Sequence, residues 1–227
     1  FLSIPLSAIV SFLIGVALYR FGVGKASQIS VENTLLFTAG ASLFIANLAQ
    51  YLWSPNYVRL DLRYGNEVIR FGAITLSVSK LIAFVITAGF IFLVWYFLNQ
   101  TESGSAIRAA SQDAMAAQIV GVNVQKVSML TFGLGASFSA IAGTMLATSI
   151  SFYPTIGTIF VIKAFIVVVL GGMGNIIGAA LGGLLLGVTE SIGAVYVSSG
   201  FTDAYGLVLF IFILLFRPQG ILSRKKA

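Results

Sequence analysis

The 227-residue sequence contains no cysteine and no histidine, and only 9% of its residues are charged. Without cysteine the chain has neither a disulfide framework nor a thiolate metal site. Without histidine it lacks the usual general base at neutral pH and the usual zinc ligand. Its seven acidic residues include no pair that converges on a site. The sequence therefore argues against an enzyme, and we predict no catalytic residues and no metal ligands.

Nucleotide-binding motifs are also missing. The stretch GGMGNIIG, which begins at Gly171, does not match GxGxxG, and the chain contains no GxxxxGK[ST]. Around Gly24, the lysine is followed by Ala26, and Tyr19 stands where the first glycine of that motif belongs. Because neither phosphate-binding pattern is present, we expect this chain to bind no cofactor.

Hydrophobic residues make up 58% of the chain, and its mean hydropathy is +1.01, more than a water-soluble domain can bury. Backbone groups in lipid must be paired within their own segment, so each long apolar run is expected to be helical. The predicted fold class is all-α: a polytopic transmembrane helix bundle with about seven spans, forming a single transmembrane domain over residues 1–227. The apolar runs are 1–19, 33–53, 81–98, 127–147, 156–170, 176–197 and 204–216.

The basic residues lie at the borders of these runs, so the net charge of +6 indicates membrane topology rather than nucleic-acid binding. Four basic residues fall on one predicted side: Arg59, Arg63, Arg70 and Lys80. Eight fall on the other: Arg20, Lys25, Arg108, Lys126, Arg217, Arg224, Lys225 and Lys226. This excess predicts a cytoplasmic C-terminal tail, with residues 99–126 in the cytoplasm and residues 54–80 outside.

The first apolar run begins at Phe1, with no methionine and no basic segment before it. A secretory signal peptide would carry such a basic segment. We therefore interpret the run as a membrane span and expect an N-terminal piece to be missing.

The two long loops have different patterns. In the loop at 54–80, apolar and polar residues alternate, and Gly65-Asn66 offers a turn, so we predict a small external hairpin over 58–74. In the loop at 99–126, Ile107, Ala110, Ala114 and Ala117 recur at helical spacing. This pattern predicts a short amphipathic helix over 105–119, ended by Gly121. Such a helix either docks closely on a protein surface or simply lies at the membrane interface.

Residues 169–196, VLGGMGNIIGAALGGLLLGVTESIGAVY, contain eight glycines within an apparent span. Small residues four apart form two stripes along this segment. In lipid, such stripes allow close van der Waals contact between helices. We therefore predict that two neighbouring helices pack closely on this span. The first stripe is Gly174, Gly178 and Gly182, and the second is Ala179, Gly183 and Gly187.

Polar side chains inside spans are costly in lipid and mark functional candidates. The candidates are Asn47, Gln50, Lys163 and Glu190, with Asn175 at the edge of a span. Lys163 has three alternatives: it extends toward the interface, caps a broken helix, or pairs with a carboxylate. We select Lys163 with Glu190 as a candidate pair.

Three stretches occur in an order and spacing typical of one family: IRAASQDAMAAQIVGVN, KAFIVVVLGGMGNIIGAALGGLLLGVTESI and the ending FRPQGIL. Together they resemble the permease subunits of branched-chain amino acid ABC importers. The resemblance is strong over residues 95–222 and rests on hydropathy before that. Family members carry a further N-terminal segment, which this sequence lacks.

The resemblance implies an import subunit in a prokaryotic cell membrane that binds no ATP itself. Two permeases would form the pore, two cytoplasmic ATPase subunits would bind ATP and magnesium, and an external binding protein would deliver the substrate. The alanine-rich segment would be the coupling helix that contacts the ATPase. Its implied residues are Arg108, Ala110, Ser111, Gln112, Asp113, Ala114, Ala117 and Gly121.

Alternative functions stay open. Urea and short-chain amide permeases share the architecture, and sugar and nucleoside permeases belong to the wider superfamily. An ion-coupled secondary transporter would work without ATPases, but Glu190 is essentially its only intramembrane carboxylate and the sequence shows no obvious inverted repeat. The resemblance favours a branched-chain or other hydrophobic amino acid as the substrate.

Overall fold

The computed structural model describes residues 3–58, 68–71, 74–172 and 174–216. It contains six helical stretches long and apolar enough to cross a membrane, together with a shorter apolar helix at Gly157–Gly171. The predicted all-α membrane bundle of about seven spans is therefore confirmed, and the chain is a multi-pass membrane protein. By its contacts the chain divides into two compact units, residues 1–155 and 156–227. The prediction of a single domain over 1–227 stays a prediction.

In the part of unit 1 that the structure describes, there are seven α-helices. They are α1 Ser3–Leu18, α2 Gly24–Ala26, α3 Val31–Trp53, α4 Val78–Gln100, α5 Glu102–Gln112, α6 Ala114–Ile119 and α7 Val124–Ala147. A π-helical turn at Tyr19–Val23 joins α1 to α2, so the first span runs without interruption from Ser3 to Ala26. Side-chain caps set several helix starts, because they satisfy backbone N–H groups that the first turn leaves unpaired. The Ser30 hydroxyl accepts from the Asn33 N–H at 3.2 Å, and Asn123 Oδ1 accepts from the Lys126 N–H at 3.0 Å.

The pairing of α1 with α7 forms the main helix contact of unit 1, and it depends on small residues. A Cβ added at Gly15 would lie 2.7 Å from the Cβ of Ala136 and 3.1 Å from the Cα of Gly133. The buried Ser137 hydroxyl donates to the Ala8 carbonyl at 2.9 Å. In a membrane, close backbone approach and interhelical hydrogen bonds are what hold helices together.

Between α3 and α4 the structure contains a hairpin that comes later in the chain than predicted. Strand β1, Val68–Phe71, pairs antiparallel with β2, Ile74–Ser77. The strands of this hairpin are therefore 68–71 and 74–77 rather than two strands within 58–74; the predicted turn at Gly65-Asn66 lies outside the described residues.

The segment before the hairpin contacts the loop that follows α7. Val58 and Phe152 exchange two backbone hydrogen bonds of 3.0 Å, and the rings of Tyr57 and Tyr153 meet edge-on with centroids 4.9 Å apart. Helices α4 and α7 separate these two loops in the sequence, and both are long and apolar enough to span a membrane, so two crossings return the chain to the same side.

Unit 2 consists of α8 Gly157–Gly171, α9 Ile176–Tyr196, a 3₁₀ turn at Ser199–Phe201 and α10 Thr202–Phe216. Its core is formed by Ile166, Leu170 and Leu186, and the side chain of Leu170 is fully buried. Tyr205 fixes the turn between α9 and α10, because its hydroxyl donates to the Ser198 carbonyl at 2.9 Å and accepts from the Ser198 N–H at 3.1 Å. With the 3₁₀ turn included, the last span reaches 18 residues.

Candidate functional site

The segment predicted as one helix over 105–119 is two helices, which corrects that expectation. Helix α5 ends at Gln112, and Asp113 has an extended backbone, with φ −152° and ψ 105°. The Asp113 carboxylate accepts hydrogen bonds from the N–H groups of Met115 (2.9 Å) and Ala116 (3.0 Å), and so begins α6. Aspartate stabilises a helix start better than a helix interior. The alanine spacing continues through this break, so the spacing alone does not reveal it.

The end of α6 agrees with the sequence. Gly121 has φ 89°, a left-handed conformation that glycine adopts without steric cost. Its N–H donates to the Gln118 carbonyl, and the Val122 N–H donates to the Ala117 carbonyl, each at 3.0 Å. Together these bonds form a Schellman cap, which stops the helix at this point.

The residues predicted to form the coupling surface do not all lie on one accessible face. Ala117 is buried, and Ala110 lines a cavity of about 720 Å³ between α5, α7 and Tyr19. Arg108 is partly buried, and its Nη1 atom has no hydrogen-bond partner in the described part of the chain. The exposed members are Ser111, Gln112, Asp113, Ala114 and Gly121.

Sequence reasoning missed the largest exposed apolar group of this loop. Met115, Ile119 and Val120 are 75%, 82% and 77% exposed, and we refer to these three residues as the α6 tip. The signal was available, because Met115 and Ile119 are four residues apart and lie off the alanine stripe. A short capped helix with an apolar tip is suited to insertion into a groove or a membrane interface.

The two glycine stripes of α9 have different surroundings. Any Cβ at Gly178 would overlap the Gly171 carbonyl of α8, and one at Gly182 would lie 2.9 Å from the Val167 carbonyl. In the second stripe, the nearest atom to a Cβ at Gly183 is 3.8 Å away, and a Cβ at Gly187 meets nothing within 4 Å. Gly178 and Gly182 of the first stripe therefore approach α8 too closely to accept a side chain, whereas Gly183 and Gly187 of the second stripe leave room for one.

Gly174 belongs to the turn before α9 rather than to the packed stripe. Its φ is +84°, and a Cβ there would meet no atom within 4 Å. Next to it, Asn175 caps α9 by accepting from the Gly178 N–H at 3.0 Å. The sequence missed two glycines at the contact between α9 and α10. Gly193 lies against the Tyr205 ring, and a Cβ at Gly206 would lie 2.9 Å from Leu186.

Lys163 and Glu190, the pair named from sequence, are brought together in unit 2, where they form a cluster of three charges. Lys163 Nζ lies 2.9 Å from each of the two carboxylate oxygens of Glu190 and 3.0 Å from Oδ1 of Asp203. The side chains of Lys163 and Glu190 are 23% and 16% exposed, whereas that of Asp203 is 67% exposed. We call these three residues the charge triad. It joins α8, α9 and α10, and its net charge is negative.

Asn47 and Gln50 lie on α3 in the other unit. The Asn47 side-chain amide donates to the Leu43 carbonyl of its own helix at 2.7 Å. Across the described ranges, His, Cys, Asp and Glu residues form no group of three that would hold a metal ion.

Comparison with known proteins identifies the family. The model of the family described as "Branched-chain amino acid transport system / permease component" matches residues 1–217. The chain is 31% identical over 220 residues to the high-affinity branched-chain amino acid transport system permease protein LivH of Salmonella typhimurium, covering 91% of this chain and 70% of that protein. It is 35% identical over 195 residues to the corresponding permease protein BraD of Pseudomonas aeruginosa, covering 84% and 64%.

A more distant similarity extends to a sugar permease. The fructose import permease protein FrcC of Rhizobium meliloti is 27% identical over 168 residues, covering 71% of this chain and 44% of that protein. No solved structure matches the chain. Its match to the family model, its two relatives and its apolar helices agree: the chain belongs to the family of branched-chain amino acid transport permease components.

Proposed function

We propose that the chain is a membrane-spanning subunit of an ATP-driven importer. In this proposal the α6 tip contacts the ATPase and couples ATP hydrolysis to transport. Three exposed apolar residues along a short capped helix and its C-cap are the observation that supports this assignment most directly. The loop carrying them falls on the side where basic residues are in excess, the side that faces the cytoplasm in most membrane proteins. A soluble ATPase in the cytoplasm is a partner that this surface can reach.

The missing nucleotide-binding motifs support a complex in which other subunits bind ATP. Without a phosphate-binding loop, it leaves ATP and magnesium to two cytoplasmic ATPase subunits. A second permease subunit completes the pore, and an extracytoplasmic binding protein delivers the substrate. The chain itself binds no cofactor and performs no catalysis, and its C-terminal tail lies in the cytoplasm of a prokaryotic cell.

The test of coupling replaces Met115 and Ile119 together with serine in the reconstituted complex. Substrate-stimulated ATP hydrolysis and uptake should both fall several-fold, because the apolar contact with the ATPase is lost, while membrane insertion is unchanged. Gln118→Ser is the matched control, since Gln118 is also exposed on α6 but is polar. Unchanged ATP hydrolysis in the double variant, or uptake driven by an ion gradient without ATPase subunits, would contradict the proposal.

The proposed substrates are leucine, isoleucine and valine. The printed functions of the LivH and BraD relatives support an amino acid, and the similarity to a fructose permease shows that related chains carry other cargo. ATP-dependent uptake by the full complex with its own binding protein should be inhibited by each of the three amino acids and not by urea. Uptake of urea that excess leucine does not reduce would reject the amino acid assignment and leave the importer mechanism in place.

A further inference from the structure

A single residue, Thr101, joins the span α4 to α5 of the coupling loop, residues 101–123. The Thr101 hydroxyl donates to the Phe97 carbonyl of α4 at 2.6 Å and accepts from the Gly104 N–H of α5 at 3.0 Å. One side chain therefore caps the end of one helix and the start of the next. With only this capped residue between the two helices, the connection has little freedom to change the angle at which they meet.

Gly104 brings the first turn of α5 into backbone contact with the last turn of α4. A Cβ added at Gly104 would lie 2.5 Å from the Phe97 carbonyl oxygen and 2.6 Å from both the Cα and the carbonyl oxygen of Leu98. These are backbone atoms, which cannot move aside as the end of a flexible side chain can. Gly104 is also buried. We call Phe97, Leu98, Thr101 and Gly104 the α4–α5 corner, and its close backbone packing makes it rigid.

The other side of α5 is less tightly packed. Ile107 and Ala110 of α5 line the cavity of about 720 Å³, whose remaining walls are Tyr19 and α7 residues that include Gly135. A Cβ at Gly135 would meet no described atom within 4 Å. Over this part of its length α5 therefore has room to move relative to α7, whereas at the corner it has no room to move relative to α4.

The remaining joints of the coupling loop are open rather than packed. Residues 120–123 connect α6 to α7, and a Cβ at Gly121 among them would meet no described atom within 4 Å. Between α5 and α6, the extended backbone of Asp113 interrupts the helical path. Hinges are a few residues at the ends of helices and in loops that absorb changes in backbone angle. The coupling loop thus has one rigid attachment, the α4–α5 corner, and two joints that can adjust.

We propose that the α4–α5 corner makes α4 and α5 one rigid body, so that α4 is the span that receives the movement of the coupling loop. This inference rests on the proposed contact between that loop and an ATPase. Displacing α5 then changes the width of the cavity beside α7 and tilts α4 in the membrane, while the close packing of α1 on α7 is kept. Thr101 and Gly104 are positioning residues in this mechanism, because they act through the angle at which α4 meets α5.

Distances between spin labels test the rigid body. Pairs of cysteines are introduced into the full chain, of which these 227 residues contribute no cysteine, and the complex is assembled with cysteine-free partner subunits in lipid bilayers. Phe92→Cys with Gln112→Cys joins α4 to α5, and Ala142→Cys with Gln112→Cys is the matched pair that joins α7 to α5. All three positions are exposed. Pulsed electron–electron double resonance measures each distance without nucleotide and with ATP and vanadate, which arrest the ATPases.

The distance between positions 92 and 112 should be the same in both states, and the distance between positions 142 and 112 should change. A change between positions 92 and 112 would overturn the proposal, because α4 and α5 would then move separately. A constant distance between positions 142 and 112 would overturn it as well, because α5 would then stay with α7.

Substitutions in the corner test its role through the amount of substrate imported per ATP hydrolysed. Gly104→Ala should lower this ratio several-fold, because the methyl group changes the angle of α5, and Thr101→Val should lower it because both hydroxyl bonds are lost. ATP hydrolysis should continue, since the α6 tip is unchanged. Thr101→Ser keeps the hydroxyl and should keep the ratio. Gly89→Ala is the control on α4, because a Cβ there would meet no described atom within 4 Å.

An unchanged ratio in both Gly104→Ala and Thr101→Val would contradict the proposal, as would equal losses in Thr101→Ser and Thr101→Val. The proposed function fails in a different way. If the loop contacts no ATPase, the double serine variant of Met115 and Ile119 keeps its ATP hydrolysis. If the loop contacts the ATPase but the corner bends, that double variant is impaired and the distance between positions 92 and 112 changes between the two states.

Discussion

Lys163 is the residue on which the three helices of unit 2 converge. Its ammonium group contacts one carboxylate from α9 and one from α10, and these two contacts differ in burial. Removing one member of a buried ion pair leaves a charge without compensation, which is destabilising. An exposed pair, in contrast, contributes little, because water and salt screen it. The Glu190 contact should therefore stabilise unit 2 more than the Asp203 contact.

Neutral isosteres separate the two contacts. Glu190→Gln should lower the free energy of unfolding in detergent by about 1.5–3 kcal/mol, the range for hydrogen bonds to charged groups. Asp203→Asn should lower it by about 0–1 kcal/mol, as an exposed pair does. Thermal or denaturant unfolding of purified protein measures both values. A larger loss for Asp203→Asn than for Glu190→Gln would contradict the order.

Among the helices, α9 shows that two equally regular stripes of small residues need not have the same role. Gly178 contacts the backbone of α8, whereas Gly187 has open space in front of it. A methyl group is therefore expected to have opposite effects at these two positions. At the packed position it forces the helices apart, and at the open position it only restricts the backbone.

Alanine at each position tests this difference. Gly178→Ala should cost about 1–3 kcal/mol, the usual range for overpacking. Gly187→Ala should be neutral or stabilise by up to about 1 kcal/mol, because alanine favours the helix. Melting temperatures of the two variants in one detergent compare them directly. Equal melting would show that α8 and α9 do not depend on this close approach.

The break between α5 and α6 depends on one carboxylate. Asp113→Ala removes the cap of α6, at a typical cost of about 1 kcal/mol, and allows α5 and α6 to continue as one helix, which redirects the α6 tip. We expect substrate-stimulated ATP hydrolysis to fall while the complex still assembles. Asp113→Asn is the control, since asparagine caps helices equally well. Loss of ATP hydrolysis in both variants alike would show that the charge of Asp113, and not its cap, is required.

For the whole molecule, the membrane topology determines which loops meet which partners. Val58 and Phe152 pair across two loops, so residues 54–58 and 150–153 lie on one side of the membrane. At the other end of unit 1, Tyr19 lines the same cavity as Ile107 of α5, so the end of the first span lies beside the proposed coupling loop. Both contacts agree with the predicted alternation of loops.

Single cysteines report this topology. Asn56→Cys should react with an impermeant maleimide added to intact cells, because residues 54–80 are predicted to lie outside. Gln112→Cys should react only after the membrane is opened, since residues 99–126 are predicted to lie in the cytoplasm. Both positions are exposed. Reaction of Gln112→Cys in intact cells would reverse the orientation and remove the basis for ATPase contact.

The spans were predictable because hydropathy is a property of the sequence alone. Predicted runs such as 33–53 and 176–197 agree with α3 and α9 within a few residues, and caps such as Ser30 account for the difference at one end. The sequence contains few intramembrane carboxylates, so Glu190 was the natural candidate for the ion-pair partner of Lys163. Asp203 was missed because it lies in the first turn of α10, before the last apolar run begins.

The remaining features depend on three-dimensional contacts that spacing does not encode. Helical spacing is the same on both sides of Asp113, so the break between α5 and α6 cannot be seen in it. Likewise, Gly178 and Gly183 have similar sequence contexts, and the position of α8 decides which of them is packed. The exposure of the α6 tip depends on which side of α6 the neighbouring helices cover, and this is not visible in the sequence.

The π-helical turn at Tyr19–Val23 makes the first span sensitive to changes in chain length. Within that turn the Gly24 N–H reaches back to the Tyr19 carbonyl, one residue farther than an α-helix requires. Deleting one residue there would restore α-helical pairing and rotate the following residues by about 100° around the axis. Gly22 would then no longer face the ring of Phe37. Surface loops usually tolerate small insertions and deletions, but this unremarkable turn, which carries no motif, should tolerate neither.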